Sequence, residues 1–214
     1  MSKQLRGNNS GFTIVELMIA TAVLSVILVL VAIVMTNIGR LYFKGSNQAK
    51  VQNNVRTISS DIAQRLQLSS GQMAPADDDG SNPVKAYCIG TARYTYVVNE
   101  QLGGDDTEYK HVLWRDRVPA GTCENTIDLR SDNPGGTEGV ELVTTKSRIT
   151  HFTIDFGDLG GPSVINLGLA YGDEDLFTAA TRGTSNPKCA GEAGGQFCAT
   201  ASLTTKLMRR VAGD

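Results

Sequence analysis

From Phe12 to Ile38 the chain reads FTIVELMIATAVLSVILVLVAIVMTNI, an apolar run interrupted by a single charge, Glu16. Ile14 to Met35 alone spans roughly 33 Å as a helix at about 1.5 Å per residue, enough to cross a bilayer core. Beyond Met35 the sequence turns polar without losing helical spacing: Val51, Val55, Ile58, Ile62 and Leu66 recur every three or four positions. This spacing predicts an amphipathic continuation of the same helix, its apolar stripe packed on a sheet and Asp61, Arg65 and Gln67 nearer solvent. Gly39 and Gly45 lie between the two halves, each weakening a helix by about 1 kcal/mol relative to Ala. They are read either as a bend with local melting or as two tolerated glycines.

Helix signals end around Ser69-Ser70-Gly71, with Gly71 a candidate C-terminal cap. Short runs rich in β-branched and aromatic residues follow at Arg93 to Val98, His111 to Arg115, Val140 to Thr144, Ile149 to Phe156, Val164 to Leu169 and Ala201 to Met208. Glycine, asparagine, aspartate and proline separate them, as in Gly103 to Asp106 and Asp132 to Gly136. The pattern predicts one antiparallel sheet, with Phe152, Ile154 and Phe156 on its core face. The expected fold is α+β: a long N-terminal helix, half transmembrane and half amphipathic, packed on an antiparallel β-sheet domain. The expected divisions are a leader at 1–11, a membrane helix at 12–38, its amphipathic continuation at 39–70 and a strand-rich domain at 71–214.

The composition, 214 residues with 41% hydrophobic content, suits one membrane segment and one globular domain. The formal charge of −2 includes Lys3 and Arg6, so loss of the leader would make the remainder more acidic, and nothing in this balance suggests a general nucleic-acid surface. Cys88, Cys123, Cys189 and Cys198 all follow the apolar run, on the side that would be exported, and read as disulfides. Three pairings are open, and Cys189 with Cys198 plus Cys88 with Cys123 is favoured because the former closes a short Gly-rich loop. Zinc lacks support: there is no CxxC pair, and His111 and His151 stand apart from the thiols. Asp77, Asp78 and Asp79 invite a calcium reading, but the EF-hand spacing is absent and a solvated acidic loop is the simpler account. No HExxH, GxSxG or GxxxxGK[ST] occurs, so neither an enzymatic activity nor a cofactor is expected.

An ordinary secretory signal has a shorter apolar core and a small-residue cleavage site after it; here the small residue, Gly11, precedes the run. A cut before Phe12 would free an α-amino group four residues from Glu16. A carboxylate in an apolar membrane helix costs roughly 2.5 to 3.5 kcal/mol on insertion scales, and the Phe12 amine of a neighbouring copy would neutralise it.

The stretch Gly11-Phe12-Thr13-Ile14-Val15-Glu16-Leu17-Met18-Ile19-Ala20 resembles the processing and methylation site of type IV pilins and type II secretion pseudopilins. The resemblance implies cleavage between Gly11 and Phe12, methylation of the Phe12 amine, and use of Glu16 in subunit recruitment. Its implied partners are a prepilin peptidase that is also the N-methyltransferase, other pilin or pseudopilin subunits, an inner-membrane assembly platform and membrane lipid. It implies a single pass through the cytoplasmic membrane with the C-terminal domain exported, then a cell-surface pilus or a pseudopilus in the periplasm or cell wall. The leader departs from the pattern, with Asn8, Asn9 and Ser10 between Arg6 and Gly11. More loosely, the long helix, the strand-rich domain and the closing LTTKLMRR resemble W-type minor pilins and J-type pseudopilins. A tip adhesin or DNA-binding pilin is the remaining alternative. For that role Lys206, Arg209 and Arg210 offer a modest, salt-sensitive contact with DNA, or with a neighbouring subunit.

Overall fold

Helical periodicity runs much further than the membrane-length stretch, because the apolar positions after Met35 keep the same turn spacing. In the structure, a computed structural model, helix α1 covers Ile14–Leu68 and includes Gly39 and Gly45. The structure describes residues 11–69, 73–76, 82–104, 108–119, 123, 127–134, 139–157, 161–191 and 194–208. Lys3 and Arg6 of the leader, the Gly71 cap, the Asp77, Asp78 and Asp79 loop, and Arg209 and Arg210 lie outside them.

The chain divides into two units, Met1–Tyr42 and Phe43–Asp214. In the first, the described residues include the N-terminal part of α1, apolar around its membrane-length stretch and covered by nothing among the described residues; Phe12, Ile14 and Met18 are 82%, 79% and 66% exposed. The few hydroxyls in this stretch hand their protons back to the helix itself: Thr21 to the Met18 carbonyl, Ser25 to Ala22 and Thr36 to Ile33. Those three hydroxyl protons are satisfied within the helix, as an apolar medium requires.

In the second unit, α1 lays one stripe on sheet. Val51, Val55, Ile58, Ile62 and Leu66 are all buried, with Ser59 between them. Strands β1 (Met73–Pro75), β2 (Val84–Ile89), β3 (Ala92–Val97), β4 (Leu113–Arg117) and β5 (Val140–Glu141) form one antiparallel sheet in that order. Strands β6 (Ser147–Asp155), β7 (Ser163–Tyr171) and β8 (Ala199–Leu207) form a second, also antiparallel. The single sheet expected from the strand pattern is therefore two. They meet where Val98 bridges Ile149 in parallel and Gln101 bridges Arg148 antiparallel, across a corner at which Asn99 adopts a φ of 65°.

Both sheets contribute to one core with the helix stripe: Tyr94, Tyr96 and Leu113 from the first, Phe152, Ile154, Ile165, Leu167 and Leu169 from the second. Phe152 and Ile154 are buried with exposed Thr153 between them, and Phe156 packs partly buried on the same core. Ile149 joins that face only because the β6/β7 register shifts between Ile149 and His151, and such a shift reverses the two-residue alternation. On the opposite face of the first sheet, Val84, Val97, Tyr109, Trp114 and Leu129 form a smaller cluster, and Arg93 pairs with Asp116 across β3 and β4.

Two strands escaped the sequence reading. β1 is three residues long, and β2, VKAYCI, is hidden by its lysine and cysteine although Val84, Ala86 and Cys88 alternate as buried residues on the face of the smaller cluster. β2 returns as β3 through a two-residue turn with Gly90 at φ 63°, the conformation a II′ hairpin gives to glycine.

Asp61 lies nearer solvent than the apolar stripe, as expected, yet it also ties the helix to the sheet. It is half-buried and accepts from the Tyr94 hydroxyl at 2.7 Å and from Arg115 Nη1 at 2.8 Å, fastening the helix to β3 and β4, while Arg65 approaches at 3.4 Å. Burial raises the Asp61 pKa, but the Tyr94 and Arg115 hydrogen bonds outweigh it and hold the carboxyl below its ordinary value. A depressed carboxylate stabilises the fold above its unfolded pKa, and that contribution is lost as the pH falls below about 4. Asp61→Asn should therefore cost about 1 to 3 kcal/mol at neutral pH. In thermal unfolding the gap from wild type should narrow in acid; a pH-independent gap would contradict this.

Candidate processing and assembly site

The residues singled out for processing lie at the start of α1. Gly11, Phe12 and Thr13 are non-helical and exposed, and the helix begins at Ile14. A Cβ placed on Gly11 meets nothing within 4 Å.

Thr13 and Glu16 form a reciprocal cap. The Glu16 backbone N–H donates to Thr13 Oγ1 at 3.3 Å, while Glu16 Oε2 accepts from the Thr13 N–H at 2.9 Å and from its hydroxyl at 2.8 Å. This is the capping box, in which a threonine and a glutamate three residues on satisfy donors that every helix start leaves unpaired. The Thr-x-x-Glu spacing that makes this cap lies within the stretch that resembles a processing site. Within the single chain, then, Glu16 has a partner. Both bonds end on Oε2; among the described residues Oε1 accepts none, so one lone-pair-bearing oxygen remains for a group from outside the chain.

Thr13→Val should fray this turn, a loss of about 1 kcal/mol, visible as faster hydrogen exchange at the amides of residues 14–17 in micelles. Thr13→Ser should keep the protection. Equal exchange in all three proteins would show the cap to be dispensable.

The four cysteines belong to the second unit. Cys88, in β2, bonds Cys123 across a sequence separation of 35, and Cys189 bonds Cys198 across a separation of 9. Their sulfurs are thus committed to each other rather than to a metal. His111 packs on the Trp114 ring at 4.3 Å between centroids, with Nδ1 3.3 Å from Glu141 Oε2. Glu141 accepts from the N–H groups of Val112, Leu113 and Val143, anchoring the β4–β5 edge; burial keeps its pKa raised even so. His151 Nδ1 lies 3.0 Å from the Ser185 carbonyl. The two histidines thus sit in separate structural contacts. Among the described residues no three of His, Cys, Asp and Glu gather as metal ligands.

α1 is long and apolar enough to cross a membrane, with a mean hydropathy of 3.1 over its most apolar window and none of that window buried. This fits membrane anchoring. Neither curated proteins nor solved structures gave a match to the chain. Residues 6–32 match the family model described as the prokaryotic N-terminal methylation motif. The capped helix start that carries Gly11, Phe12 and Glu16 falls inside that match, and this motif supports a kinship with the type IV pilins and pseudopilins.

Proposed function

We propose that this chain is a structural subunit, and a minor one, of a type IV pilus-like fibre. The observation that carries the reading is the all-round apolar, uncovered helix beginning at a methylation motif. An apolar helix that its own chain does not cover needs lipid or other helices around it, and fibre assembly supplies each in turn. In this reading residues 1–11 are a leader removed by prepilin peptidase. Residues 12–38 hold the subunit in the cytoplasmic membrane and later in the fibre. Residues 39–70 join them to the exported domain at 71–214.

Phe12 would be methylated after cleavage, and Glu16 would meet the Phe12 amine of a neighbouring copy through its uncommitted Oε1. The role is structural rather than enzymatic, and the chain is the substrate of its processing enzyme. The assembly platform and other pilin subunits are its remaining partners; membrane lipid is its first environment.

Mass spectrometry of sheared surface fibres tests the reading. The expected result is a chain beginning at Phe12, carrying one methyl group, at a low ratio to a main filament protein. Recovery only from the cell envelope, never from surface fibres, would favour a secretion pseudopilus. Release of the mature chain as a freely soluble domain would overturn the membrane-helix reading. Glu16→Val should lower incorporation sharply, and wild-type incorporation would sink the intersubunit pairing.

A further inference from the structure

Phe43 and Phe197 are the only exposed aromatic rings of phenylalanine among the described residues of the second unit, and they touch. Phe43 is 51% exposed and Phe197 46%, with ring centroids 5.8 Å apart and planes at 46°. Exposed apolar side chains scattered singly need no explanation, but a paired aromatic patch on a braced support does.

The support is specific. Phe197 ends a 3-10 turn, Gly195–Phe197, inside the loop closed by Cys189–Cys198. The Phe197 N–H donates to the Gly194 carbonyl at 2.8 Å, Gln196 Oε1 accepts from the Gly194 N–H at 3.2 Å, and Asn47 Nδ2 donates to the Gln196 carbonyl at 3.1 Å. Asn47, itself buried, thereby ties the loop to α1 one turn beyond Phe43. The ring is held outward, not left to collapse onto the domain.

We propose that this aromatic pair is a footing on the phospholipid bilayer, inserted in the interfacial zone of the leaflet from which the domain emerges. The inference rests on the membrane reading of residues 12–38. Five residues lead from Ile38 to Phe43, about 7.5 Å as helix and at most about 18 Å if fully extended. The headgroup zone adds roughly 5 to 8 Å to each side of the hydrocarbon core. Because α1 is continuous through these residues, the helical figure applies and Phe43 falls at about the outer edge of the headgroup zone when Ile38 stands at the edge of the hydrocarbon, with Phe197 against it. Exposed Lys44 follows immediately and suits the phosphate level with its apolar stem and charged head. The footing would hold the exported domain at the membrane until the helix leaves the bilayer.

Bromolipid quenching of tryptophan fluorescence tests this in the full chain, reconstituted in nanodiscs of phosphatidylethanolamine and phosphatidylglycerol with brominated acyl chains. Val26→Trp reports on the membrane helix, Phe43→Trp and Phe197→Trp on the footing, and buried Trp114 is the constant background of wild type. The expected result is strong loss of the added signal for Val26→Trp and clear, smaller losses for Phe43→Trp and Phe197→Trp. Quenching of Val26→Trp without quenching of Phe197→Trp overturns the footing and leaves membrane insertion standing. No quenching of Val26→Trp overturns insertion itself and the footing with it. Phe197→Trp shielded from aqueous iodide yet untouched by bromolipid overturns the proposal in favour of a protein cover.

Discussion

Gly11→Leu should leave the chain uncleaved, with its leader attached, and keep it out of fibres altogether. The expected readout is a single slower-migrating band in membranes and no subunit in the sheared fraction. The result is interpretable because a side chain at position 11 meets nothing within 4 Å. The capping box begins two residues later, so neither the helix nor the domain has reason to change. A processed Gly11→Leu chain would show that a small residue before the cut is not what the peptidase reads. Far-UV dichroism of the accumulated precursor, unchanged from wild type, would separate lost recognition from lost folding.

Removing the Cys88–Cys123 bond should have the largest effect on the domain. Chain-entropy arguments give about 4 kcal/mol for a loop of this length and about 3 kcal/mol for the Cys189–Cys198 loop. For a domain of this size the first loss corresponds to a drop of about 8 to 16 °C in unfolding midpoint. Cys88 is also fully buried at the end of β2, where β1 and β3 flank it, so its replacement disturbs packing as well. The Cys88→Ala, Cys123→Ala double variant should unfold at a markedly lower temperature than the Cys189→Ala, Cys198→Ala pair. The reverse order would mean that loop closure is not what the longer bond contributes.

Much of this architecture was legible because it depends on short-range periodicity. The stripe from Val51 to Leu66 and the alternation at Phe152 and Ile154 need only their own segments to be read. β2 was harder, since Lys85 and Cys88 weaken a strand signal that its pairing with β3 restores. The division into two sheets was not legible: it turns on the corner at Asn99 and the register shift near Thr150, both properties of tertiary pairing. The tie that Asp61 makes to the sheet was hidden for the same reason. A carboxylate on a helix looks solvent-facing until Tyr94 and Arg115, 33 and 54 residues away, come to meet it. At the N-terminus the motif was plain, whereas the second meaning of Thr13 and Glu16 lay in backbone geometry.

That capping box has a consequence for the cut itself. A helix allowed to propagate three residues further back would wind Gly11 and Phe12 into its first turn, where the carbonyl between them would be engaged along the axis. By stopping the helix at Ile14, Thr13 and Glu16 leave the Gly11–Phe12 peptide, the bond proposed for cleavage, as unwound backbone that a protease cleft could grip. Because the atoms of the cap all lie after Phe12, the same lock would fix the helix start both before and after the proposed cut.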